Sequence, residues 1–183
     1  MRLVSKFEFG LYGIAIGLIV LKFINIFSID YLFFCLMFAL GILFFPFGFI
    51  TLKHRTGTIG WANSLIGLSL SVSCIGICFK VLILEGANQM LLIGLLLLFI
   101  SMLVIFVSFI VDKGKKGYYM AIFRRGFAFV IIGVSLLLLP STRLVKIYYR
   151  NDPERIRVTN NMITNPSEEN RKAYFDYIDK LKK

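Results

Sequence analysis

The stretch WANSLIGLSLSVSCIGICFKVLILEGANQMLLIGLLLLFISMLVIFVSFIV, residues 61–111, decides the fold class. It holds two apolar runs, Trp61–Leu84 and Met90–Val111, of 24 and 22 residues. At ~1.5 Å of rise per helical residue each run exceeds ~30 Å of bilayer hydrocarbon. The link Glu85-Gly86-Ala87-Asn88-Gln89 has room only for a turn. The reading is an antiparallel transmembrane hairpin.

Upstream the pattern recurs, with apolar runs from about Phe7 to Phe27 and from Tyr31 to Leu52. Downstream, Gly126–Pro140 is apolar over 15 residues, roughly 22 Å as a helix. It spans if it continues to Val145 with Arg143 snorkelling to the headgroups. The sequence therefore predicts an all-α membrane protein, a bundle of four or five transmembrane helices, at about 7–27, 31–52, 61–84, 90–111 and 126–145. A polar tail, 146–183, follows. Of the whole chain 58% is hydrophobic and only 17% charged, against ~45–50% and ~25% in soluble domains, too much apolar surface for one small soluble core.

The net charge of +11 would suggest nucleic acid on a soluble protein. Here the basic residues lie at the ends of apolar runs, where they orient helices and meet lipid, and no nucleic-acid partner is expected. Arg2 and Lys6 precede the first run, and Lys53 and Arg55 link the second to the third. Lys113, Lys115, Lys116, Arg124 and Arg125 link the fourth to the fifth. The opposite loops, Ser28–Asp30 and Glu85–Gln89, hold no base and one acid each. By the positive-inside rule the N-terminus is cytoplasmic. Five spans would then leave the tail on the outer side.

Within the tail, Asp152-Pro153-Glu154 supplies a capping aspartate, a proline for the first helical position and an acid in the first turn. Asn165-Pro166-Ser167-Glu168 repeats the device, with Glu168 set to close a capping box. Two short amphipathic helices follow, about 153–163 and 166–181, the second with an apolar stripe of Tyr174, Phe175, Ile178 and Leu181.

Small residues recur along the spans. Gly10, Gly13 and Gly17 share a side of the first; Gly60, Ser64, Gly67, Ser71, Cys74 and Cys78 alternate steps of four and three in the third. Ala87, Gly94, Ser101 and Ser108 recur at seven-residue spacing in the fourth. Such stripes let backbones approach closely where packing drives association, and predict a tight bundle. Cys74 and Cys78 complete a stripe, and two thiols four apart are an incomplete metal site, so neither metal nor cofactor is expected.

Two charges fall inside apolar helix. Lys22 stands eight residues before Asp30; Lys80 stands five before Glu85 and eight before Asn88. Each closes an odd-numbered span ahead of a tight acidic turn, which makes the first four spans look like two similar hairpins. An intramembrane lysine is costly and marks an ion path or a buried pair. Lys22 with Asp30 and Lys80 with Glu85 are the candidate positions.

The sequence Phe79-Lys80, five residues, Gly86-Ala87 and then Gly94 resembles the transmembrane hairpin of GldL-type proteins, the inner-membrane component of the gliding-motility and type IX secretion motor. The resemblance covers residues 74–100. The family's His-Trp-Pro is replaced by Ile83-Leu84-Glu85, and Leu98 occupies the position of its membrane glutamate, so motor chemistry does not carry over. What it implies is a bacterial inner membrane and assembly with other membrane-protein subunits or a second copy. With no cluster of catalytic groups at a membrane face, the function expected is that of a non-enzymatic scaffold or accessory subunit. The alternative is a small transporter or channel using Lys22 and Lys80.

Overall fold

A computed structural model of the chain describes residues 10, 13–14, 16–22, 29–50, 60–111 and 116–181. All of the described secondary structure is helical. Helix α1 is described over 16–22; then come α2 (Ile29–Ile50), α3 (Gly60–Val81), α4 (Ala87–Val111) and α5 (Lys116–Leu138). Three shorter helices follow, α6 (Ser141–Tyr148), α7 (Pro153–Thr164) and α8 (Glu168–Leu181).

Two helices are long and apolar enough to cross a membrane, α4 over its full length and α3 over Ser64–Val81. A third span is reached if Ile122–Leu138 of α5 and the bent-off α6 count as one. Part of α2, Asp30–Phe45, is apolar but shorter, and the expected stretches 7–15, 23–27 and 51–59 lie largely or wholly outside the described residues.

The bundle is built around α3, which packs against α2, α4 and α5. Its position follows from composition, because small residues occupy two of its sides. Ser71 donates to the carbonyl of Gly41 at 2.7 Å, and the Cys74 thiol reaches that of Met37 at 3.3 Å, joining α3 to α2. On the other side Ser73 donates to Gly94 O at 2.9 Å, while Ser69 and Ser101 hydroxyls meet at 2.6 Å, joining α3 to α4. A Cβ added at Gly94 would stand 2.8 Å from Ser73 Cα, and one at Gly76 equally close to Leu91 Cα. Only glycine admits backbones at that separation.

Helix α4 shows which solvent the bundle needs. Leu91, Gly94, Leu98, Ser101 and Ile105 are buried at alternating steps of three and four. Its other face exposes Leu92, Ile93, Leu96, Phe99, Ile100, Leu103, Phe106, Val107 and Ile110. A contiguous apolar face of this length is untenable in water and natural in hydrocarbon.

Helix α5 departs from the sequence expectation at both ends. It begins at Lys116, so that Arg124 and Arg125 are helical rather than part of a linking loop. It stops at Leu138, and at Leu139-Pro140 the chain turns through 86° into α6 instead of continuing straight to Val145. Proline has no N–H to extend the ladder and its ring excludes the preceding helical turn, which explains the break. Tyr119, Ile122, Phe129 and Leu136 face inward, and Phe129 meets Phe44 of α2 edge to face at 5.6 Å.

The tail helices lie close to the expected bounds. Asp152 caps α7 by accepting from the Arg155 amide at 2.9 Å, with Pro153 at the first position. For α8 the cap is Ser167, which accepts from the Asn170 amide at 3.3 Å; the cap lies two residues beyond the expected Asn165, so Glu168 opens the helix instead of closing a capping box.

Candidate functional site

Three elements converge at one end of the bundle: the α3–α4 turn, the start of α2 and helix α6. In α3 the last turn delivers Lys80 inward, fully buried at 0% exposure. Its ammonium donates to Asn88 Oδ1 at 2.5 Å and to Ser141 Oγ at 3.0 Å. Asn88 sits in the first turn of α4 and Ser141 opens α6, so one ammonium ties three helices together.

Lys22, also buried, ends the described part of α1 and pairs with Asp30 in the first turn of α2. The Asp30 carboxylate is 53% exposed, and the Lys22 ammonium also lies 5.1 Å from the centroid of the Tyr148 ring, in cation–π range. Helix α6 therefore sits over both lysines. Its buried residues, Ser141, Leu144, Val145 and Tyr148, follow the i, i+3, i+4, i+7 pattern of one helix face. The polar ends of that face, Ser141 and Tyr148, meet Lys80 and Lys22 respectively.

Glu85, the acid expected beside Lys80, lies elsewhere. Exposed on the α3–α4 turn, it receives the Arg171 guanidinium of α8 at 2.5 Å. Between Lys80 and Glu85 the backbone takes a left-handed conformation at Ile83, φ 58°. That region is sterically costly for a β-branched residue, roughly 1–3 kcal/mol. Burial compensates: Ile83 is 6% exposed and clusters with Leu144, Val145 and Tyr148 of α6, a cluster against which Ile156 and Ile163 of α7 pack in turn. The tail thus holds the turn by an ion pair and by an apolar cluster.

Of the helix-packing candidates, Ser71, Gly94 and Ser101 make the α3 contacts described above. Gly67 is buried and Ser64 half-buried in α3. Around Gly13 and Gly17 an added Cβ would meet nothing within 4 Å. The second stripe of α3, Ser69, Ser73 and Gly76, was passed over in the sequence, although its spacing of four and three is readable there. Ser141 and Tyr148 were missed as well; their signal is the two-faced pattern that begins directly after Pro140.

Outside the membrane end of the bundle, Asp152 also accepts the Tyr177 hydroxyl at 2.7 Å, clasping α7 to α8. That bond is the largest cause holding the Tyr177 phenol up at about 12. For Asp152 partial burial pulls upward, but the Tyr177 and Arg155 hydrogen bonds and the Arg155 charge leave it below its ordinary value. Among the described residues no three His, Cys, Asp or Glu side chains group as metal ligands.

No protein-family model, no curated protein and no solved structure matches this chain. The site must be read from its own geometry.

Proposed function

We propose that the chain is a non-enzymatic polytopic membrane protein, a scaffold or accessory subunit of a membrane complex. Helices α1 to α5 are its five spans, with the N-terminus cytoplasmic and the tail outside. The observation that carries the reading is the use made of its intramembrane charges. Lys22 joins α1, α2 and α6, and Lys80 joins α3, α4 and α6, so both ammonium groups fasten helices. A transport path needs polar groups that exchange partners with a passing ion, and a lysine sealed by three helices is a poor one. The Gly94–Ser73 and Ser69–Ser101 contacts add rigidity of the kind a scaffold requires. The resemblance of residues 74–100 to the GldL-type hairpin supports a bacterial inner membrane and assembly with other subunits.

Purification of the full chain in mild detergent after crosslinking in the membrane tests this. A defined particle larger than one 20.9 kDa chain is expected, and only the monomer would overturn the proposal. A reporter fused after Lys183 should be active outside; activity confined to the cytoplasm would sink the five-span arrangement.

A further inference from the structure

The buried face of α6 is accounted for by the two lysines and the tail cluster; its outward face is not. Arg143, Lys146 and Ile147 are exposed at i, i+3 and i+4 on one face of α6, and Arg150 stands exposed in the turn just past its C-cap, Tyr149. Among the described residues no acid neutralises this stripe. Residues 113–151 contain no aspartate or glutamate, and none of the three bases forms an ion pair among the described residues.

The direction of α6 says where that stripe lies. Helix α5 packs along α4 and α3 and exposes Phe127, Ile131, Val134 and Leu138. If α5 crosses the bilayer with them, as the proposed function holds, an 86° turn lays α6 nearly in the membrane plane. Leu138, the last residue of α5, is 78% exposed, and the exposed Ile147 stands within the basic stripe. Apolar side chains beside arginine and lysine on a helix at this angle match the boundary between acyl chains and headgroups, where cationic stems snorkel towards phosphate.

We propose that the outward stripe of α6, Arg143, Lys146 and Arg150 with Ile147, binds the headgroups of anionic phospholipids in the leaflet where α5 ends. Guanidinium groups at positions 143 and 150 suit a phosphate diester, which they meet with two parallel hydrogen bonds. Three basic residues near an anionic surface favour anionic over zwitterionic lipid by roughly a hundredfold. The inference goes beyond the scaffold reading and rests only on its placement of α5 across the bilayer.

The test is native mass spectrometry of the full-length protein in neutral detergent, titrated with phosphatidylglycerol or phosphatidylcholine. Wild type should retain phosphatidylglycerol in preference, and raising the ammonium acetate concentration should weaken that retention. The triple variant R143Q/K146Q/R150Q should lose the preference by tenfold or more. A control triple that removes equal charge from the tail, R157Q/K172Q/K180Q, should keep it. The charge-retaining set R143K/K146R/R150K should also keep it, which separates headgroup binding from a folding defect. Equal retention of the two lipids by wild type, or equal loss in both glutamine triples, would overturn the proposal. So would displacement of the lipid by inorganic phosphate at concentrations comparable to the lipid's own, because the stripe would then be a site for free anions. Scaffold failure is read separately, as a monomer in the crosslinking experiment.

Discussion

In the first hairpin the lysine ammonium meets a carboxylate; in the second it meets an amide oxygen and a hydroxyl. Lys22 and Asp30 are eight residues apart, and so are Lys80 and Asn88. The acceptors Asp30 and Asn88 are both exposed, and the difference lies in the ammonium groups: the Lys22 side chain is 11% exposed, whereas Lys80 is fully enclosed. Burying an ion pair desolvates two charges, and burying an ammonium among neutral acceptors desolvates one. The carboxylate accompanies the less enclosed ammonium, and the neutral ligand set the fully enclosed one. Backbone separation differs in parallel. Gly76 and Gly94 of the second hairpin touch facing backbone, while Gly13 and Gly17 of the first face open space. In the second hairpin α3 and α4 meet backbone to backbone, whereas α2 of the first meets α3 at Gly41 and Met37 with ordinary van der Waals room at the glycine.

The largest effect expected from this contrast is at Asn88. Asn88→Leu leaves the enclosed ammonium with Ser141 alone and should destabilise the protein by about 3 kcal/mol in detergent unfolding. Adding Lys80→Met should restore most of that loss, because an apolar pair replaces the unmet charge. Asp30→Leu, which leaves the less enclosed Lys22 ammonium with the Tyr148 ring, should cost only about 1 kcal/mol. Equal costs at the two positions would break the comparison. Next in size is a pair of glycine substitutions. Gly94→Ala must displace the Ser73 backbone and should cost about 2 kcal/mol, whereas Gly13→Ala should be neutral or slightly stabilising through helix propensity. Thermal unfolding of the two variants side by side measures the difference in fit.

The smallest effect lies in the tail, where charge behaves as it does in water. Because the Tyr177 phenol is held up at about 12, its contribution is complete below pH 10 and is lost as pH rises from 10 to 12. The lowered Asp152 acts in the opposite sense: its contribution is present above its ordinary range and fades as pH falls through its folded value. Limited proteolysis at the α7–α8 junction should therefore be slowest near neutral pH and faster at both extremes. The Tyr177→Phe variant should flatten the alkaline rise.

Hydropathy was enough to read the membrane hairpin at residues 61–111, because apolar run length speaks directly to bilayer thickness. It failed on α5 for the same reason. Leu136-Leu137-Leu138-Leu139 is apolar right up to the bend and hydropathy gives no angle to Pro140, while the charges Lys116, Arg124 and Arg125 hid a helix that begins among them. The spacing of eight between Lys80 and Asn88 was visible, yet Glu85 attracted attention because it carries a charge. Its true partner, Arg171, is 86 residues away and no local pattern announces it. Small-residue periodicity revealed one side of α3 and concealed the other, since a helix packed on two sides carries two interleaved stripes. Capping signals read the tail well, because a cap is settled by its nearest neighbours.

The left-handed backbone at Ile83 has a consequence for biogenesis. The α3–α4 turn is synthesised some sixty residues ahead of the α6 side chains that cluster with it. While the ribosome is still adding the last helices, nothing yet compensates the cost of that conformation, and the turn is free to relax. Formation of the hairpin and locking of its turn are therefore separate events in time. A chain interrupted after α5 would sit in the membrane with its turn unlatched, so completion of the C-terminal segment acts as the last check on the hairpin made long before it.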